Sequence, residues 1–146
     1  MTEQDENVKK PRRSVLVAED AEGVAANYMA FLKDDFDVVI CTSGRQVKKL
    51  IDQGATFDVA IFDIVMPPES RKQKLEDTVD TGMRLMARMI DENLCRRFYV
   101  ITVRDELRDA VDRMCKDKAV YRFEHKLDHD PGELLKNVLM LLGQPL

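Results

Sequence analysis

The chain has 146 residues, 45% hydrophobic and 34% charged, a size and balance that fit one domain with a sizeable core. Its 23 basic and 27 acidic residues give a net charge of −4, so no broad field draws it to nucleic acid. No apolar run approaches the ~20 residues that span a bilayer, and the opening MTEQDENVKK lacks the apolar stretch of a signal peptide.

Residues 1–13 are polar, end in Pro11-Arg12-Arg13 and read as a mobile tail. The run 14–18 (SVLVA) has the length of a buried strand. Residues 22–33 place Val24, Tyr28, Phe31 and Leu32 at helical spacing. A β-branched run at 36–41 (FDVVIC) predicts a second strand. Ser43 is a candidate cap for the next helix, whose apolar positions are Val47, Leu50 and Ile51 and which Gly54 closes. Residues 57–62 (FDVAIF) read as a third strand. From 64 to 80 the chain is irregular, with Pro67-Pro68 and the charged, weakly periodic ESRKQKLEDTVD. Thr81 and Gly82 then precede a helix carrying Leu85, Met86, Met89 and Ile90, in which the methionines fill core space.

A fourth strand is predicted at 98–103 (FYVITV), and a helix at 105–116 with Leu107, Ala110, Val111 and Met114 on one face. Residues 120–124 form a shorter fifth strand, and the lysines at 116 and 118 read as a solvated helix end. Asp130-Pro131-Gly132-Glu133 starts the last helix, which carries Leu134, Leu135, Val138, Leu139 and Leu142. Cys41, Cys95 and Cys115 make no CxxC pair and no even set, and read as reduced, partly buried thiols of a cytoplasmic protein. His125 and His129 read as exposed, with no metal role.

Five strand–helix units argue for one parallel sheet with helices on both faces. In such sheets ligands sit beyond the carboxyl ends of the strands. Glu19 and Asp20 end the first strand, Asp63 ends the third, Thr102 lies near the end of the fourth, and Lys126 follows the fifth. Two like charges ~4 Å apart repel by roughly 4 kcal/mol at an effective dielectric near 20. Three carboxylates in one crevice therefore call for a cation or for raised pKa values. The absence of histidine and cysteine from these strand ends favours magnesium over zinc. Asp63 is the natural nucleophile for forming an aspartyl-phosphate, with magnesium, Lys126 and Thr102 each meeting one phosphoryl oxygen.

In VLVAED (15–20), AIFDIVMP around Asp63, VITV around Thr102 and FEHK ending at Lys126, the sequence resembles the receiver domains of two-component response regulators, including the single-domain chemotaxis type. Gly82 matches the glycine that opens the third helix of that family. The resemblance spans about residues 14–142, and four motifs in the right order at predicted strand ends make it specific. It implies a three-layer flavodoxin-like (βα)5 fold with a five-stranded parallel sheet in the order 2-1-3-4-5. The domain would run from 14 to 143, followed by a short tail at 144–146. It also implies magnesium, or manganese, held by Glu19, Asp20, Asp63 and the carbonyl of Val65. Asp63 would be phosphorylated by a histidine kinase or a histidine phosphotransfer protein. Thr102 and Lys126 would bind the phosphoryl group, and Thr102 and Phe123 would act as the switch. Output would go to a downstream protein target or by onward phosphotransfer, with a homodimer as an option and with no direct nucleic-acid binding or membrane insertion. With four residues after Leu142 and thirteen before Ser14, a stand-alone regulator is expected. The alternatives are a receiver-like module that is never phosphorylated, and a receiver cut from a hybrid kinase or larger regulator.

Three departures from the family stand out. The loop after Asp63 is long, with an insert near 69–80. Lys126 is followed by Leu127 where the family has proline, and a cis bond there would cost roughly 3 kcal/mol. Val103 follows Thr102 where small residues are usual, so it is expected to narrow access to Asp63, with Arg104 adding a cation nearby. A phosphatase of the haloacid-dehalogenase type would need a second aspartate two residues beyond the nucleophile as general acid. That position is Val65. No GxGxxG or GK[ST] loop supports nucleotide binding.

Overall fold

The computed structural model describes residues 12–65 and 78–146, with side chains described at 12–65 and 81–146. The chain alternates as β1 (Ser14–Ala18), α1 (Glu22–Leu32), β2 (Asp37–Cys41), α2 (Gly44–Asp52), β3 (Val59–Phe62), α3 (Thr78–Asp91), β4 (Arg97–Thr102), α4 (Arg108–Cys115), β5 (Val120–His125) and α5 (Leu134–Gly143). All strand pairs are parallel, as the strand–helix alternation predicts, and the sheet order is β2-β1-β3-β4-β5, the one the resemblance implies. This is a flavodoxin-like α/β fold.

The central strands are apolar along their whole length because both faces are covered. Leu16, Ala18, Ala60, Phe62, Phe98 and Val100 pack with Val47, Ile51, Leu85, Met86, Met89 and Val111 on one side. The alternate positions Val15, Val17, Val59, Ile61, Tyr99 and Ile101 pack with Tyr28 and Leu32 of α1 and Leu134, Val138 and Leu141 of α5 on the other. A period of two along the strands thus sorts residues into two cores. Of the three methionines expected to fill the core, Met86 and Met89 are buried, and Met83 packs half-buried against the same cluster. The three cysteines are free and buried, and burial pushes the thiols of Cys41 and Cys115 up to about 11 and that of Cys95 to about 12.

Local signals place most boundaries. Ser43 Oγ accepts from the N–H of Gln46 at 3.3 Å and caps α2, and Gly54 takes φ +74° after it. Asp130 Oδ1 accepts from the N–H of Gly132 at 2.9 Å, with Pro131 opening the turn as expected. Residues 105–107 and 131–133 are 3-10 turns that lead into α4 and α5, where the sequence predicted α-helix from the start. Just before β3, Asp58 joins the start of β1 twice: its N–H donates to Ser14 O at 2.9 Å and its Oδ2 accepts from the N–H of Ser14 at 2.8 Å. In the last helix Leu139 and Met140 are both half exposed, so the predicted apolar face is narrower than its leucine count implies.

One correction concerns the start of α3. The sequence pattern predicts an irregular stretch through residue 80, with Thr81 and Gly82 ahead of the helix, but the helix begins at Thr78. No glycine or proline from 78 to 81 interrupts a helix there. Gly82 lies inside the helix for a different reason. A methyl group at this position would come within 2.9 Å of the carbonyl carbon and Cα of Ile64, and closer still to its oxygen. The rest of the predicted insert, 69–77, lies outside the described residues, as does the expected tail up to residue 11. Arg12 Nη2 donates to Phe36 O at 2.8 Å.

This close approach sets a test. Alanine is normally favoured over glycine within a helix by ~1 kcal/mol. Here the added carbon meets backbone, so Gly82→Ala should destabilise the protein by roughly 1–3 kcal/mol in urea unfolding. A raised midpoint would contradict the packing of α3 on the segment after Asp63.

Candidate functional site

Each acidic strand end is pinned by a backbone hydrogen bond to its neighbour. The N–H of Glu19 donates to Cys41 O at 3.0 Å, and the N–H of Asp63 donates to Ala18 O at 2.9 Å. On the other side of the sheet, the N–H of Lys126 donates to Thr102 O at 2.8 Å. The sheet order then brings residues more than a hundred positions apart to one edge. Carboxylate oxygens of Glu19, Asp20 and Asp63 all lie within 4.8 Å of one another. Glu19 and Asp63 are buried and Asp20 is exposed.

Lys126 closes the cluster. Its Nζ donates to Glu19 Oε1 at 2.9 Å, to Glu19 Oε2 at 3.1 Å and to Asp63 Oδ2 at 2.9 Å. Two backbone donors complete the carboxylates: the N–H of Ala21 to Glu19 Oε1 and the N–H of Val65 to Asp63 Oδ1, both at 3.1 Å. Leu127 in place of proline does not prevent this reach. The Lys126–Leu127 peptide is trans, and the leucine side chain is 85% exposed.

Burial decides the electrostatics. It pushes the carboxyl of Asp63 above its ordinary 3.8, and Lys126 offsets this only in part. Glu19 is likewise raised above 4.5 by burial, against its hydrogen bond to Lys126, with the charge of Asp63 adding to the rise. For Lys126, burial alone would lower the ammonium, but its bonds to Glu19 and Asp63 prevail and raise it. Tyr28 is pushed up to about 12 by burial and by the nearby charge of Glu19.

Of the predicted residues, Glu19, Asp20, Asp63 and Lys126 form one cluster, and Val65 joins it through its N–H. Thr102 is buried, and its Oγ1 accepts from the N–H of Arg104 at 3.3 Å. Phe123 is buried in the core on the α2–α4 side, and the Arg108 guanidinium sits 4.7 Å from its ring centre. Val103 is half exposed. The histidines differ from expectation: His125 is half-buried, and its Nδ1 meets the N–H of Leu127 at 3.1 Å. The His129 side chain is 4% exposed, with Nδ1 2.8 Å from Glu124 Oε2. The turn after β5, in which the N–H of Asp128 donates to His125 O, sets residue 129 beside Tyr99. No local pattern in the sequence signals that.

The donor set suits a hard divalent cation, since all three side chains offer carboxylate oxygen and two of them are buried with excess negative charge. Glu19, Asp20 and Asp63 would hold such an ion.

No protein-family model matches the chain, and no curated protein does. Solved structures do. The Francisella response regulator 1452 receiver domain matches over 90% of this chain and 97% of its own, at a TM-score of 0.64 and 19% identity. The BeF3-activated N-terminal receiver domain of Klebsiella pneumoniae RstA matches over 90% and 99%, at 0.65 and 22%. A CheY-like receiver domain protein from Methanospirillum hungatei matches over 90% and 94%, at 0.67 and 17%. The fold is that of the response-regulator receiver domain. Among the described residues no helix is long and apolar enough to cross a membrane.

The raised acids predict a pH-dependent response to metal. In the unfolded chain both carboxyls ionise near their ordinary values of 3.8 and 4.5, and in the folded chain they do so higher. Their ionisation therefore subtracts stability as pH rises through the folded values, and a cation that binds the ionised cluster restores it. Millimolar magnesium should raise the melting temperature more at about pH 7.5 than at about pH 4.5. An equal or smaller increment at the higher pH would contradict a shared acidic site.

Proposed function

We propose that this chain is a phosphorylatable signalling switch that accepts a phosphoryl group on Asp63 from a histidine kinase or histidine phosphotransfer protein. The observation that carries this reading is the Lys126 ammonium held 2.9 Å from both Glu19 and Asp63, with Asp20 beside them at the carboxyl edge of the sheet. The receiver fold supports a switch of this general kind.

Phosphoryl transfer depends mostly on placing the acceptor and neutralising the moving oxygens. Asp63 is the acceptor: its oxygen bonds to phosphorus as the donor's P–N bond breaks and the histidine nitrogen keeps the electron pair. Burial and the N–H of Val65 fix the orientation of the carboxylate. Lys126, already bonded to Asp63, meets one phosphoryl oxygen. Thr102 offers its hydroxyl to another, and in doing so exchanges its contact with the Arg104 N–H. A magnesium or manganese ion on Glu19, Asp20, Asp63 and the Val65 carbonyl supplies positive charge against the phosphoryl oxygens when bound. Thr102 and Phe123 carry the change to the surface built from α4, β5 and α5, where a downstream protein docks. The chain is then a cytoplasmic switch whose own chemistry is limited to phosphorylation and hydrolysis at Asp63. Output runs through protein contacts or onward transfer.

Intact-mass measurement after incubation with acetyl phosphate and magnesium tests this. One phosphoryl group should appear on the wild type and be absent from Asp63→Asn. A label that persists in Asp63→Asn, or no label on the wild type, would overturn the assignment.

A further inference from the structure

The side of the sheet covered by α1 and α5 carries a second polar cluster, distinct from the acidic one. Glu124 Oε2 accepts from Tyr99 Oη at 2.7 Å and lies 2.8 Å from His129 Nδ1. Asn137 of α5 donates from Nδ2 to Tyr99 Oη at 2.9 Å, and Arg122 pairs with Glu124 Oε1 at 2.7 Å. Burial pushes the Glu124 carboxyl up, but the bonds from His129, Tyr99 and Arg122 prevail and hold it below its ordinary value. An ionised carboxylate only accepts, so Nδ1 of His129 carries a proton toward it. The imidazole stands edge-on to Tyr28 at 5.7 Å and to Tyr99 at 5.9 Å, and its Nε2 is buried without a protein partner. A buried polar atom without a partner costs stability, so the imidazole is held there by what Nδ1 and the ring faces contribute.

The place of this residue in the chain gives it a task. His129 is three residues beyond Lys126. Between them Leu127 is 85% exposed and Asp128 is exposed, so neither packs the turn against the domain. On one side Lys126 is tied to Thr102 O by its own N–H. On the other side, the buried anchor of the turn is the His129 ring.

We propose that His129, clasped by Glu124 and Tyr99, is a positioning residue that holds the turn bearing Lys126, and so sets where the ammonium meets the acceptor carboxylate. The inference rests on the reading of Asp63 as phosphoacceptor. It names residues outside the acidic cluster, and it ties the Lys126 turn through Tyr99 to Asn137 of α5.

The test is a double-mutant cycle read by the rate of acetyl phosphate labelling in wild type, His129→Leu, Lys126→Ala and the double variant. Magnesium affinity is measured alongside by calorimetry. Misplacing a reacting group by ~1 Å can cost up to ~100-fold, so His129→Leu should slow labelling by about ten-fold or more. Magnesium affinity should change by less than about two-fold, since the acids that hold it remain in place. In the Lys126→Ala background the same substitution should change the rate by less than about two-fold, because its route of action is gone. Equal losses in both backgrounds would overturn the inference, as would a fall in magnesium affinity as large as the fall in rate. If His129→Leu is unfolded by circular dichroism, Glu124→Gln replaces it in the cycle with the same expected pattern. A wild type that takes no label overturns the phosphoacceptor reading and the inference with it. A labelled wild type with additive losses overturns the inference alone.

Discussion

Glu19 and Asp63 bring two buried carboxylates to one edge of a sheet, Asp20 adds a third at its rim, and Lys126 reaches in from the far strand to bond the buried pair. Buried like charges repel strongly, and a buried ion pair that loses one partner leaves the other uncompensated at a cost of ~3–5 kcal/mol. The ammonium is therefore part of what lets the strand ends coexist. It also leaves the carboxyls above their ordinary range, so its neutralisation is incomplete. Incomplete neutralisation is what a site needs if it is to accept a divalent cation and then a phosphoryl group.

The parallel sheet makes this arrangement possible. The two buried acids, Glu19 and Asp63, each follow their strand directly, and each is fixed by its N–H to a neighbouring strand end. The two apolar cores behind the edge hold those strands rigid, because alternate side chains of β1, β3 and β4 are buried on opposite faces. Gly82 joins the same logic from α3. It has no side chain where Ile64 passes, and Ile64 directly follows Asp63. The helix that comes after Asp63 is thus packed against the backbone that carries it.

Much of this was legible in the sequence. Short apolar strands ending in Glu19-Asp20 and Asp63, with Lys126 after the fifth, were enough to place the candidate residues at the carboxyl edge of a parallel sheet, while the strand order that makes those ends neighbours came from the family resemblance. What escaped detection depends on contacts distant in sequence. Gly82 looked like a helix opener, and only its contact with Ile64 explains it. His129 looked exposed because the turn that buries it beside Tyr99 leaves no periodicity to read. The start of α3 at Thr78 was hidden by a charged stretch whose pattern is weakly amphipathic. Conversely, Leu127 cast doubt on the reach of Lys126, yet the ammonium meets both acids across a trans peptide.

If the proposed function holds, one cluster binds a divalent cation and a phosphoryl group together, each favouring the other. Calorimetric titration of magnesium with and without beryllofluoride, a phosphoryl mimic, measures that coupling directly, since two ligands that share a site must change each other's affinity by the same factor. Beryllofluoride should tighten magnesium binding by roughly ten-fold or more, which corresponds to about 1.4 kcal/mol, and Asp63→Asn should abolish the effect. Magnesium affinity that is indifferent to beryllofluoride, or coupling that survives in Asp63→Asn, would contradict it.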